Sequence, residues 1–587
     1  IEGAKEIFFA VISTTITLVA VFFPIVFMDG MTGRLFREFS IVVSGSVIIS
    51  SFAALTFTPM LATKLLIKRE KQSWFYRKTE PFFEGLNNLY SRSLAAFLRK
   101  RWIALPFTAA TILIIGFLWN HIPAEMAPLE DRSQISINTR GAEGVTYEYI
   151  RDYTEDINQL VDSIVPDAEA VTARVSSGSG NVRITLKDMQ DRDYTQMEVA
   201  EKLSKAVQKK TMARSFVQQS SSFGGRRGGM PVQYVLQATN IEKLQEVLPK
   251  FMAKVYENPV FQMADVDLKF SKPEARININ RDKASIMGVS TRNIAQTLQY
   301  GLSGQRMGYF YMNGKQYEIL GEINRQQRNK PADLKGIYIR SDKGDMVQLD
   351  NLIELTNGIA PPKLYRYNRF VSATISAGLA DGKTIGQGLD EMDKIAKETL
   401  DDTFRTALTG DSKEYRESSS SLMFAFILAI LLIYLILAAQ FESFKDPLII
   451  MLTVPLAIAG ALVFMYFGGI TMNIFSQIGI IMLIGLVAKN GILIVEFANQ
   501  KQETGEDKMQ AIKDAALQRL RPILMTSAST VLGLIPLAFA TGEGCNQRIA
   551  MGTAVVGGML VSTLLTMYIV PAIYSYVSTN RSKLKNE

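Results

Sequence analysis

The sequence predicts a polytopic α-helical membrane protein carrying a large folded α+β insert. Three observations predict it. Eight apolar stretches are each long enough to cross a hydrocarbon core about 30 Å thick, which takes roughly 20 residues. Basic residues gather in alternate connections between those stretches. Residues 121–420 are polar and repeat a strand–helix–strand grammar.

The apolar stretches read as spans at 7–28, 39–63, 102–120, 421–440, 448–467, 474–498, 522–540 and 550–577. Between the second and third lie Lys64, Lys68, Arg69, Lys71, Arg77, Lys78, Arg92, Arg99, Lys100 and Arg101, so the positive-inside rule makes that connection cytoplasmic. Alternation then puts 121–420 outside. It puts 499–521 inside, with Lys501, Lys508, Lys513, Arg519 and Arg521, and the tail with Arg581, Lys583 and Lys585 inside as well. The turns at Phe467–Asn473 and Thr541–Arg548 fall outside and hold one basic residue between them. One topology satisfies every count.

Composition narrows the function classes. The chain has 587 residues, 48% of them hydrophobic, and a formal net charge of +8. The distribution of that charge matters more than its sum. The basic segment 64–101 is interleaved with Trp74, Phe75, Tyr76, Phe82, Phe83, Tyr90 and Phe97. This fits a helix lying on the lipid bilayer near anionic headgroups, and not a nucleic-acid surface. One cysteine, Cys545, excludes an intramolecular disulfide framework and a cysteine-rich metal site. One histidine, His121, excludes a multi-histidine zinc centre and argues against Ser-His-Asp chemistry. No nucleophile–base pair or metal motif supports an enzyme, and no cofactor is expected. The chain opens IEGAKEI and runs straight into a span without an initiator methionine, as part of a longer protein would.

In the insert, Ser133–Thr139 alternates as a strand. Ile150, Tyr153, Ile157, Leu160 and Val161 mark a helix face, and Asn181–Leu186 returns as a strand. The pattern recurs at Gln233–Ala238, a helix face from Leu244 to Val255, and Val266–Phe270. It recurs again at Ser372–Ala377 with a helix over Ile385–Leu400. Such units suit ferredoxin-like split β-α-β subdomains. Residues 279–366 differ, with a helix at Thr291–Leu302 and an Asn313-Gly314 hairpin signal, and read as a piece inserted into the surrounding unit. Ser176, Ser177, Gly178, Ser179 and Gly180 form one irregular stretch, and Gln218–Gly229 forms another. Neither resembles a phosphate loop.

The chemistry centres on Ile480–Asn499, IIMLIGLVAKNGILIVEFAN. Lys489 sits well inside this span, where a lysine costs roughly 2.5–3.5 kcal/mol, so it is expected to face a polar partner or a water-filled path. Snorkelling is the plainer alternative, but Glu496 and Asn499 already mark the polar end. Asn490 follows at about 100° around the helix. In the next span Arg519 and Thr526, seven apart, share one face about 10 Å apart along the axis. Thr526 bonding back to its own helix is an even alternative, and Arg519 taken alone reads as a positive-inside anchor. No Asp or Glu is expected deep in any of the eight spans, so the carboxylate partner of Lys489 is expected on a helix outside this chain. Ala554 and Gly558, four apart, permit close helix packing.

Several segments carry a resemblance. LAAQFESFKDPLIIMLTVPLA (437–457), GLVAKNGILIVEFAN (485–499) and RLRPILMTS (519–527) resemble the resistance–nodulation–division superfamily, in its hydrophobe/amphiphile efflux branch. So do TGRLFREFS (32–40), LTFTPMLATKLL (55–66) and PAEMAPLEDR (123–132). The resemblance implies a proton-driven multidrug pump of the Gram-negative inner membrane that exports small amphiphilic substrates. It implies a homotrimer working with a periplasmic membrane-fusion adaptor and an outer-membrane channel, with protons as the coupling ion. The chain would correspond to spans five to twelve and the second periplasmic loop. Lys489 would match the lysine of the family's proton relay, and Asn490, Arg519 and Thr526 its neighbours; the two relay aspartates would lie on the fourth span, outside this chain. The implied division is two spans in 1–66, a cytoplasmic amphipathic linker at 67–101 and a span at 102–120. A porter subdomain at 121–230 follows, then a second at 231–278 with 367–412, a docking subdomain at 279–366, and five spans with a tail at 413–587. Ser176, Ser177, Gly178, Ser179 and Gly180 would take the place of the glycine loop that contacts substrate. The stretch ARVSSGSGNVRITLKD (173–188) lacks that loop's phenylalanines, which puts an aromatic drug pocket in question. The alternative is a heavy-metal or other non-drug exporter of the same superfamily, although the insert's methionines form no cluster in sequence.

Overall fold

A computed structural model describes residues 2–28, 30–65, 74–219, 230–361, 363–380 and 382–579. The glycine-rich part of the stretch 218–229, from 220 on, lies outside the described residues, while Gln218 and Gln219 belong to a strand. Also outside them lie the basic residues at 68, 69 and 71 and those of the tail.

Four helices come first: α1 (Glu2–Val26), α2 (Gly30–Leu65), α3 (Trp74–Arg99) and α4 (Ala104–His121). A first α/β unit follows, with β1 (Gln134–Arg140), α5 (Tyr147–Ile164), β2 (Ala170–Ser176), β3 (Ser179–Thr185), α6 (Gln196–Val207) and β4 (Arg214–Gln219). Its sheet is antiparallel in the order β2-β3-β1-β4, a split β-α-β arrangement. Thr146 and Thr195 start the two helices by accepting the amides of Tyr149 and Glu198, the usual N-cap bond. Ile150, Tyr153, Ile157 and Val161 recur every three or four residues on α5 and are buried, the last three against Ile135, Ile137, Val182 and Ile184 of the sheet. Each such side chain contributes about 1.5–3 kcal/mol when fully buried.

The second unit repeats this order around an insertion. It opens with β5 (Val232–Ala238), α7 (Ile241–Glu257) and β6 (Phe261–Val266). The chain then leaves through β7 (Lys272–Ile279), α8 (Arg281–Ile286), α9 (Thr291–Leu302), β8 (Gln305–Met312) and β9 (Lys315–Gly321). It returns through β10 (Tyr338–Arg340), β11 (Met346–Gln348), β12 (Ile353–Ala360) and β13 (Tyr365–Tyr367). The unit closes with β14 (Phe370–Leu379), α10 (Ile385–Thr399) and β15 (Arg405–Leu408). Strand β14 pairs with β5 on one side and with β6 and β13 on the other, and β15 takes the far edge of β5. The ribbon β7–β12 leads out to a small separate core of Ala284, Val289, Ile294, Leu334, Ile339, Leu349 and Leu352. Beyond it the β8–β9 hairpin turns at Asn313 and Gly314, both at positive φ, the conformation that a two-residue hairpin demands.

Six more helices complete the chain: α11 (Gly410–Phe441), α12 (Asp446–Met451), α13 (Thr453–Phe467), α14 (Ile474–Glu503), α15 (Lys508–Ala538) and α16 (Cys545–Val577). Among the described residues seven helical stretches are long and apolar enough to cross a membrane, and α1 adds a shorter apolar helix at Val11–Val26. Large apolar side chains on α2, α4 and α11, such as Phe52, Leu113 and Phe424, face outward, as a lipid-facing surface does. Helices α13, α14 and α16 pack tightly because small residues line the seams. A Cβ at Gly479 would stand 3.1 Å from the Met551 carbonyl and 3.4 Å from Ala554. Gly558 is pressed against Leu483 and lies 2.9 Å, by the same measure, from the Ala457 carbonyl. Helix α3 lies across the far end of the bundle, where Tyr90 donates to the Met567 carbonyl at 2.6 Å and Glu80 pairs with Arg521 at 2.8 Å. Its Trp74, Phe82 and Leu89 face outward.

Candidate functional site

Helix α14 is fixed at its start by Asn473, whose side chain accepts from Phe475 and Ser476 while the Ser476 hydroxyl accepts from Asn473. Lys489 lies sixteen residues on, about 24 Å down the axis. There Gly491 lets the helix run close beside Ile450 and Thr453. Lys489 is half-buried in a crevice of about 670 Å³ between α1, α2, α14 and α15. Arg519 and Pro522 line the same crevice, and so do the hydroxyls of Thr14, Thr15, Ser46, Ser50 and Ser51. Thr15 and Ser51 hydrogen-bond across α1 and α2. Thr14, Ser46 and Ser51 also bond back to carbonyls of their own helices, which is how hydroxyls are accommodated in an apolar helix. Among the described residues no carboxylate lies within ion-pair distance of Lys489. The crevice therefore presents an ammonium, a guanidinium and polar hydroxyls, a setting suited to receive a carboxylate.

The four residues singled out in the sequence do not form one cluster. Lys489 and Arg519 share the crevice, and the Arg519 guanidinium stacks 4.4 Å over the Phe497 ring. Asn490 points elsewhere and is fully buried, with its amide 3.4 Å from both Ser527 and Thr563. Thr563 in turn donates to Ser527 at 3.0 Å, so three helices are tied by one polar knot at mid-depth. Thr526 bonds back to the Ile523 carbonyl at 3.1 Å, the local alternative. Lys489 and Asn490, about 100° apart around the helix, meet different neighbours here, and Ser527 faces Asn490.

The expectation concerns acids deep in the spans; a buried acid stands instead at a span end, just before residue 448. Asp446, fully buried, opens α12 at the far end of the bundle and accepts from Asn499 at 3.1 Å. Asn499 accepts from Tyr574 at 2.6 Å, and Gln502 donates to the same tyrosine oxygen at 2.6 Å.

The two α/β units face each other across a cleft of about 310 Å³, lined by Val207, Ser215 to Gln218, Met230, Met263 and Gly378 among others. None of Ser176, Ser177, Gly178, Ser179 and Gly180 is among its lining residues. The irregular loop expected there is a tight hairpin: Ser176 pairs with Ser179, and the turn is Ser177 and Gly178, the glycine at φ 79°. A side chain at 178 would be strained in that conformation. At one end of the cleft Asp265 of β6, itself buried, meets three cations: Arg140 at 3.2 Å, Arg214 at 3.4 Å and Lys269 at 3.1 Å. Arg140 and Arg214 belong to the first unit, so this cluster latches the units together. Asp265→Asn removes the charge and is expected to make a cysteine placed at Ser215 react severalfold faster with maleimide. Unchanged labelling would show that the ionic contact does not hold the cleft.

A bundle of membrane-spanning helices with a lysine at mid-depth in a hydroxyl-lined crevice, carrying two cleft-forming α/β units, belongs to the class of membrane transporters. The chain is a member of the AcrB/AcrD/AcrF family, whose pattern matches residues 1–578. It is 32% identical over 594 residues to an uncharacterized transporter of Haemophilus influenzae, an alignment that takes in all of this chain and 58% of that relative. The chain thus spans little more than half the length of that curated relative.

Proposed function

We propose that the chain is part of a proton-driven exporter of hydrophobic or amphiphilic compounds, a drug/proton antiporter working as a homotrimer in the Gram-negative inner membrane. The observation that carries this reading is Lys489 in its crevice with Arg519. A lysine held at mid-depth is costly unless a charge partner visits it. In a protein of the relatives' length, carboxylates from the remaining helices would fill that role. Protonating them would weaken their hold on Lys489 and let the helices re-pack, a population shift between two bundle arrangements.

In this reading the units at 121–230 and at 231–278 with 367–412 are porter subdomains whose cleft opens and closes on substrate. The piece at 279–366 is the docking part that meets a periplasmic adaptor and an outer-membrane channel. Support for the docking role comes from the β8–β9 hairpin, which exposes Met307, Tyr309, Phe310, Tyr311 and Leu320. The test is dye efflux from drug-sensitive cells expressing the full-length protein, with and without a protonophore. Efflux that the protonophore stops is expected. No efflux of any amphiphile, with the protein made and assembled, would shift the assignment to a metal or other non-drug exporter of the family.

A further inference from the structure

The linker from α4 to β1, residues 122–133, holds both ends of a mechanical connection. Its first half zips to the turn before α14. Ala124 bridges Met472 in parallel, the Glu125 amide donates to the Met472 carbonyl at 3.0 Å, and the Met472 amide donates to the Pro123 carbonyl at 2.8 Å. The Thr471 hydroxyl donates to the Glu125 carboxylate. Its second half closes on α16. The fully buried Glu130 accepts the Gln547 amide at 2.9 Å and the Asn546 amide at 3.3 Å, and the Asn546 side chain donates to the Leu129 carbonyl at 2.7 Å. These amides open a helix of 33 residues, so a carboxylate there is held by hydrogen bonds and by the helix dipole together.

The next residue does the same on the other side. Asp131 accepts the Gln196 amide at the start of α6 at 2.8 Å and the Arg192 guanidinium at 2.5 Å. Gln196, fully buried, returns its amide to the Glu130 carbonyl at 3.4 Å and accepts the amides of Arg132 and Gln134 at 2.9 and 3.1 Å. Two consecutive carboxylates thus cap one helix of the membrane bundle and one helix of the first α/β unit. The second unit is attached differently. It runs from β15 straight into α11, and Ser412 of that helix bonds the Gln233 amide at 2.7 Å and the Pro231 carbonyl at 3.1 Å.

We infer that Glu130 is a positioning residue of the transport cycle, the contact by which α16 drives the first unit, beside the Ala124–Glu125 contact to the turn before α14, while α11 carries the second. A shift of α14 and α16 against α11 then becomes a change in the cleft between the units. This rests on the proton-coupled reading above. Because the linker is short and bonded at both ends, it moves as a strut and not as a hinge.

The experiment uses the full-length protein with a cysteine pair across the cleft, Ser215→Cys with Met263→Cys, whose cross-linking is followed with and without a proton gradient. Glu130→Ala is expected to lower transport turnover about tenfold with KM unchanged, in line with losing a charge-assisted bond. It is also expected to make cross-linking insensitive to the gradient. Glu130→Gln, which keeps one acceptor oxygen, should recover part of both and serves if the alanine variant folds poorly. Parental turnover and a parental gradient response in Glu130→Ala would overturn the strut. Lys489→Ala run in parallel separates the two readings: if it transports normally the proton reading fails, and the turnover of the Glu130 variants alone decides the strut.

Discussion

Lys489→Ala is expected to abolish transport by the full-length protein while leaving its yield and trimer assembly close to those of the parent. The asymmetry follows from what the side chain does in the fold. It lines a crevice, and it is neither packed into the α13–α14–α16 core nor tied into the Asn490–Ser527–Thr563 knot. Removing a lysine at this depth also removes a cost of roughly 2.5–3.5 kcal/mol, so stability should not fall. What disappears is the charge that distinguishes protonated from deprotonated partners, and with it the bias between bundle arrangements. Protonophore-sensitive dye efflux together with size-exclusion chromatography decides the matter. Retained efflux at the parental rate would end the proton-relay reading of this lysine.

The second large effect is on stability. Asp131→Ala leaves the Arg192 guanidinium, wholly buried in the first α/β unit, without a carboxylate and facing the Ser133 hydroxyl at 3.2 Å, the Tyr194 carbonyl at 3.1 Å and the Tyr194 ring at 5.6 Å. Stranding a buried charge in this way costs about 3–5 kcal/mol, more than an exposed ion pair could. The loss of the hydrogen bond to the Gln196 amide, at the first turn of α6, adds about 1 kcal/mol. Protease sensitivity within 121–219, followed on detergent-solubilised protein, is the measurement. A digestion pattern equal to the parent's would mean that the hydroxyl and carbonyl suffice for Arg192.

The membrane part of this arrangement was legible because hydropathy and the distribution of Lys and Arg are local properties, and Lys489 interrupts an apolar run conspicuously. The hydroxyls opposite it were not legible. Thr14, Thr15, Ser46 and Ser51 satisfy themselves on their own helices and, with Ser50, leave the hydropathy of α1 and α2 intact, so only the packing of the two helices gathers them. Spacing placed Thr526 with Arg519, but the rotation of α15 in the bundle brings Ser527 inward instead, and no sequence period fixes that rotation. Asn313-Gly314 announced its hairpin through the backbone conformation it favours. Ser177-Gly178 hid one, because serines on either side obscured the alternation of β2 and β3. Glu130 and Asp131 stood in plain sight beyond a span. Their partners begin helices 65 and more residues away, and such caps are tertiary facts.

The insertion between β6 and β14 also orders events during synthesis. The first unit has all its strands once residue 219 has been made, and it can close while the rest of the chain is still emerging. Strands β5 and β6 do not pair with each other; β5 joins β14 and β15, and β6 joins β14. Neither can be covered until β14 has been translated, a full subdomain later. For that interval the nascent chain carries two unpaired strands and the apolar face of α7, the kind of surface that aggregates or recruits a chaperone. The same detour that supplies a platform beyond the second unit makes that unit the late, vulnerable step in building the molecule.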